Sequence, residues 1–229
     1  SALAATHADA FGGPDSAHDS FTDVQKAISY SMTSFFTTGG IRGGKKKLDK
    51  FYPRSFNLGV RKTVFDEIGG FSDMRYGEDI DFSMNVVEHG YTVGLIDDTY
   101  VYHKRRNTFK SFFKQVFSSG TARVELASRH KGALKIVHIL PALFVVGIPI
   151  SVILGFTVHW AFALCLPLWL MLLFIDSTYQ TQSLKVGILS AISGFIQIVG
   201  YGLGFHTALW HKIFCKNQRY VAFKNTFYK

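Results

Sequence analysis

The chain has 229 residues, 25 Lys+Arg against 16 Asp+Glu and a formal net charge of +9, a length that holds one or two domains. Residues 1–132 carry 18 basic and 15 acidic side chains, whereas residues 133–229 carry seven basic side chains and one acid, Asp176. A basic excess concentrated in the apolar half argues for membrane flanks and against nucleic-acid binding. Cys165 in an apolar run and Cys215 in a basic tail give neither a disulfide framework nor a metal-ligand spacing.

In chain order, Ala8–Phe11 reads as a strand end running into the turn Gly12-Gly13-Pro14. Asp19 or Ser20 is placed to cap a helix over Phe21–Phe36, whose apolar positions Val24, Ile28, Met32 and Phe35 recur at three to four residues. The loop from Thr37 to Lys47 holds four glycines and four cations. It reads as a solvated surface loop or as an anion cradle, without a Walker frame. Phe56–Val60 predicts a short buried strand and Arg61–Ile68 a short helix closed by Gly69-Gly70. Asp81–His89 predicts a helix burying Phe82, Val86 and Met84, with Gly90 at its end. Tyr91–Leu95 and Thr99–Tyr102 predict two strands joined by a turn at Asp97-Asp98.

Three carboxylates fall within four positions at Glu78-Asp79-Ile80-Asp81. Close carboxylates repel, and the cost is offset by a metal, a cationic ligand or a proton-transfer role. They equally suit the N-terminus of a helix, where they complement the dipole.

Phe109, Phe112, Phe113, Val116 and Phe117 form the apolar face of an amphipathic helix. Such a helix lies in the headgroup plane or packs against the soluble part. From Ile136 to Ile175 there is no Asp, Glu, Lys or Arg, which makes two spans of about 20 residues broken near Thr157-Val158-His159. Val186–Trp210 is a third uncharged run. Lys131 and Lys135 before the first span put the soluble part in the cytoplasm. Three crossings would then export the tail with Lys212, Lys216, Arg219, Lys224 and Lys229, against the same rule. Either one apolar segment is re-entrant or interfacial, or the tail is an exception.

Gly12-Gly13-Pro14, Asn57–Lys62, Val64–Phe71, Gly77–Phe82 and Val101–Arg105, in this order and spacing over residues 8–130, resemble the second half of a family 2 glycosyltransferase. The spans that follow are similar to the C-terminal anchors of membrane-bound members. The resemblance implies an α/β fold class: the C-terminal, acceptor-side part of a GT-A domain over 1–108, a juxtamembrane amphipathic helix over 109–132, transmembrane helices over 133–211 and a basic tail over 212–229. It implies inverting transfer from a nucleotide-sugar donor to a saccharide or lipid-linked acceptor, at the cell membrane, in a multi-pass protein whose catalytic part faces the cytoplasm. The partners so implied are donor, acceptor and membrane lipid, with no nucleic acid.

The family's Glu-Asp motif falls on Glu78 and Asp79, with Asp79 as general base and Glu78 beside it. Crowding among carboxylates raises proton affinity, which suits a base near neutral pH. Asp81 is expected to hold acceptor hydroxyls or to shape the helix start. The family's Gln-x-x-Arg-Trp motif has its nearest match in Gln115 and Arg123, at a different spacing and without the Trp. The resemblance places Gln115 at the acceptor, and Arg105 and Arg123 at the donor diphosphate or at the membrane surface. It makes His103, at a strand end, a ligand of a divalent metal (Mg²⁺ or Mn²⁺) or a structural residue. The family's nucleotide-binding βαβ unit and Asp-x-Asp metal motif have no counterpart in this sequence. They are expected upstream of Ser1, which makes this chain a piece that is incomplete and inactive alone. A non-catalytic membrane scaffold or partner subunit that keeps the acceptor-side fold is the alternative.

Overall fold

The computed structural model describes residues 8–39, 52–96, 100–215 and 220–223. The cationic part of the loop that ends at Lys47 and the Asp97-Asp98 turn fall outside them.

Strand β1 (Ala10–Gly12) is the centre of a small sheet. β3 (Gly59–Val60) lies antiparallel on one side of it, with Ala10 opposite Val60. β4 (Val93–Leu95) lies parallel on the other, with Ala10 opposite Val93. Beyond Gly13-Pro14 the chain continues as β2 (Asp15–Ser16), which pairs parallel with β5 (Val101–Tyr102). The two downstream strands therefore do not form the hairpin that their closeness in sequence suggests. β1–β2 and β4–β5 run side by side, and Pro14, which has no N–H to donate, interrupts the ladder between them.

The single helix expected over 21–36 is two helices. α1 (Asp23–Thr33) opens with a capping box: Thr22 Oγ1 accepts from Gln25 N at 3.3 Å, and Gln25 Oε1 accepts from Thr22 N at 3.1 Å. Thr22 thus takes the place expected of Asp19 or Ser20. Ser34 is extended and caps the four-residue α2 (Phe35–Thr38) by accepting from Phe36 N. A 3₁₀ turn (Ser55–Asn57) precedes β3, and α3 (Lys62–Ile68) follows it.

α4 runs from Glu78 to Glu88, three residues longer at its start than expected. Gly77 precedes it with φ +79°, a left-handed conformation that favours glycine. All three carboxylates therefore occupy the first turn. The helix is buried on two sides. Phe82 and Val86 pack with Ala10 and Val64, while Ile80 and Met84 pack with Ala122 and Leu126 of the following helix. That spacing of four on each face is what fixes the helix's rotation and hence where its first turn points.

α5 (Phe109–Arg129) is the amphipathic helix. Its Phe112 and Val116 are buried against Ile28 and Met32 of α1, so it packs on the protein instead of lying free in the headgroup plane. α6 (Ile136–Thr157), a 3₁₀ turn (Trp160–Leu164) and α7 (Cys165–Thr181) form an apolar hairpin, broken where the sequence predicts. α8 (Leu184–Phe214) follows. Among the described residues, α6, the 3₁₀ turn with α7, and α8 are thus three segments long and apolar enough to cross a membrane. Glycines let α5 and α8 touch backbone to backbone: Gly120 lies on the Tyr201 carbonyl, and Gly204 lies on the Phe117 carbonyl.

Candidate functional site

A cavity of about 540 Å³ lies where the first turn of α4, the 54–56 segment, α5, the root of α6 and the middle of α8 meet. The volume falls in the range of small-molecule sites. Six of the residues singled out from the sequence line it: Glu78, Asp79, His103, Arg105, Gln115 and Arg123.

Asp79 is held from two sides. Its Oδ1 accepts from Ile80 N at 2.8 Å, its Oδ2 accepts from Ser55 N at 3.4 Å, and the Arg54 guanidinium is 3.9 Å away. The 3₁₀ turn that offers Ser55 N is anchored in turn. Asn57 Oδ1 accepts from Arg54 N at 3.1 Å, and its Nδ2 donates to the Gly13 carbonyl at 2.5 Å. The conformation of Gly12-Gly13-Pro14 therefore reaches the carboxylate through one turn. Glu78 is half-buried, and desolvation together with the charge of Asp79 pushes its carboxyl above the usual range.

Asp81 does not reach the cavity. It is 1% exposed on the opposite side of α4, where its Oδ1 lies 3.0 Å from His130 Nε2 and 3.9 Å from Arg129. The other ring nitrogen of His130 is 2.9 Å from Glu88 Oε1. Asp81 and Glu88 stand two turns apart on one face of α4, and His130, just past the end of α5, joins both. Asp81, expected either at acceptor hydroxyls or at the helix start, lies in the first turn of α4, and its carboxylate ties α4 to His130 and Arg129.

Arg105 is buried and its guanidinium is paired with Asp15. Burial pulls its pKa down while Asp15 holds it up. Its backbone carbonyl accepts from Gln25 Nε2 at 3.0 Å. It therefore ties β5 to β2 and α1 while its side chain lines the wall, and most of its charge is met by Asp15. Arg123 is half-buried on α5 and has no ion-pair partner among the described residues. Gln115 and Ser119 sit one turn apart on the same helix, the Ser119 hydroxyl donating to the Gln115 carbonyl at 3.0 Å.

His103 stacks on Phe56, with ring centroids 3.9 Å apart and planes inclined by 20°. Among the described residues no three His, Cys, Asp or Glu side chains come together as a metal-holding group. His103 is part of an aromatic stack in the cavity wall.

Several lining residues were not singled out from the sequence. Arg54 and Arg75 flank the carboxylates, and His138, Gln197 and Tyr201 come from the apolar helices. The last three carried a readable signal, since hydrogen-bonding side chains inside uncharged runs face protein, not lipid. Arg54 carried none, because a surface arginine and a site arginine look alike in one sequence.

The cavity thus sets two carboxylates and several arginines beside the roots of membrane-type helices. No curated protein matches the chain. The family model described as Glycosyl transferase family group 2 matches residues 56–175, from the 3₁₀ turn that holds Asp79 through the apolar hairpin, just over half of the chain. Together with the cavity built on the Glu78-Asp79 pair, this match makes the chain a member of glycosyltransferase family 2.

Proposed function

We propose that the protein performs inverting glycosyl transfer from a nucleotide-sugar donor to a saccharide or lipid-linked acceptor at the membrane surface, with Asp79 as general base. The observation that carries this reading is the position of Asp79. It lies in a cavity whose opposite wall is made by α6 and α8, so an acceptor held at the membrane meets the carboxylate directly. In the reaction, a hydroxyl oxygen of the acceptor forms a bond to the anomeric carbon. Its proton passes to the Asp79 carboxylate, and the bond to the nucleoside diphosphate breaks, the electron pair leaving with the phosphate oxygen. Ser55 N and Arg54 hold the carboxylate in its orientation. Glu78, with its raised proton affinity, offers a second group to acceptor hydroxyls. Arg123 supplies positive charge for the departing diphosphate. The catalytic part faces the cytoplasm in this reading, as Lys131 and Lys135 at the start of the hairpin favour.

Asp79→Asn in the complete membrane protein tests the assignment. Loss of a general base is expected to cost about 10²- to 10⁴-fold in turnover, with donor affinity nearly intact because the base acts on the acceptor. Turnover within a few-fold of the unsubstituted enzyme would refute it.

A further inference from the structure

We infer that α8 lies along the membrane surface instead of crossing the bilayer, so that the chain crosses with α6, returns with α7 and keeps the residues after α8 on the side of the catalytic part.

At 1.5 Å per residue the 31 residues of α8 measure about 46 Å, against about 30 Å of hydrocarbon. Length and composition alone permit a crossing, but packing argues against one. Half of the most apolar window of α8 is buried inside the protein, against 6% for α6 and 11% for the second arm of the hairpin. The α6–α7 hairpin supplies part of that cover, against Gly187, Gly194 and Gly202, and charged helices of the soluble part supply the rest, at both ends. Near its start Lys185 pairs with Asp23 at 2.7 Å, and Ser193 Oγ donates to the Ala27 carbonyl at 2.9 Å. Farther on, Gly200 and Gly204 lie against Val116 and Phe117, and Lys212 Nζ donates to Ser128 Oγ at 2.6 Å. A crossing helix would leave such company at one end. Keeping it would draw Asp23, Lys26, Glu125 and Arg129 toward hydrocarbon, which is costly for each charge.

The uncovered side of α8 is apolar apart from Lys185 in its first turn. Leu184, Ile188, Ile192, Leu203, Trp210 and Phe214 are all exposed, and at about 100° per residue they fall within roughly a third of the helix circumference. An apolar stripe on one side and polar protein on the other is the pattern of a helix seated at the headgroup–acyl boundary. The hairpin rises from this helix. α6 docks through the His206 Nε2 contact to the Ala142 carbonyl at 2.9 Å, and α7 through the Ser177 hydroxyl donating to Ser190 at 2.6 Å. After α8 the chain returns to the site: the Tyr76 hydroxyl donates to the Ala222 carbonyl at 3.4 Å, and Phe223 packs on Phe117 of α5. Two crossings also place Lys131, Lys135 and the cations after residue 211 on one side, as the positive-inside rule requires.

Cysteine labelling of the complete protein in sealed vesicles of known orientation tests this. Single-cysteine forms, labelled with a membrane-impermeant maleimide, report three positions: native Cys215 in a Cys165→Ser background, Thr63→Cys on exposed α3 and His159→Cys at the hairpin tip, the last two with both native cysteines replaced by Ser. Cys215 is expected to label from the same side as position 63, and position 159 from the opposite side. A protease-cleavable tag after Lys229 reads the tail independently and is expected to be cut from the side of position 63. Labelling of Cys215 or cleavage of the tag from the side of position 159, or labelling of position 159 from the side of position 63, would overturn the inference.

Discussion

His130→Ala is the substitution from which the structure predicts most. His130 lies between two carboxylates, its ring nitrogens 3.0 Å from Asp81 and 2.9 Å from Glu88. Asp81 is 1% exposed and His130 5%. Removing the ring leaves a buried carboxylate whose nearest remaining cation is Arg129 at 3.9 Å. Breaking a buried pair costs about 3–5 kcal/mol. Arg129 is partly exposed and already shared with Glu125 and Asp73, so it recovers little, and a loss of about 3 kcal/mol is expected. Glu88 is the internal control. Its side chain is half exposed, so Glu88→Gln, which keeps an acceptor oxygen but removes the charge, is expected to cost less than about 1 kcal/mol. Denaturant unfolding in detergent measures both, and a cycle with Asp81→Asn isolates the buried coupling. His130→Ala and Glu88→Gln with equal effects would refute the claim that burial of Asp81 gives the pair its strength.

The remaining predictions test charge and close packing. Glu78 has a raised pKa in the folded protein because burial, and then Asp79, favour its protonated form. A raised carboxyl pKa means that the folded state binds the proton more tightly, so stability falls as pH rises from the ordinary glutamate value through the raised one. Glu78→Gln is therefore expected to raise thermal stability at neutral pH and to lose that advantage below the ordinary glutamate range; an advantage independent of pH would show that charge is not its source. Gly120→Ala puts a methyl group on the Tyr201 carbonyl, where backbone and not a flexible side chain must move, and is expected to cost about 1–3 kcal/mol. Gly147→Ala on α6 meets nothing within 4 Å and is expected to be neutral or stabilising by up to about 1 kcal/mol; similar losses at both positions, read by detergent-phase unfolding, would remove close approach as the explanation.

What could be read from the sequence and what could not divide along one physical line. Local patterns were legible. The face of α4 with Phe82 and Val86, the short α3, the break at Thr157–His159 and the apolar runs each follow from spacing within a few residues. The Glu78-Asp79 pair was legible as chemistry for a related reason, since crowded carboxylates carry a cost that can be seen in one line of text. Long-range pairings were not legible. Arg105 and Asp15 are 90 positions apart, and His130 and Asp81 are 49 apart. Nothing in a single sequence tells a buried carboxylate bound to a histidine from an exposed one awaiting a sugar. The same limit holds for His103, a strand-end histidine that stacks on the ring of Phe56, 47 positions away.

The membrane part shows the limit from the other side. Composition marks α8 as apolar enough to cross, and its glycines show which elements pack along it. Gly187, Gly194, Gly200 and Gly204 bring Thr178, Leu173, Val116 and the Phe117 backbone against successive stretches of the helix. Small residues at close intervals in an apolar run thus carry information that hydropathy discards: they say that protein, not lipid, touches the helix there. In this chain that protein includes α5, which also carries Gln115 and Arg123, and Gln197 and Tyr201 of α8 line the same cavity. The longest of the apolar helices is therefore also a wall of the cavity that holds Glu78 and Asp79.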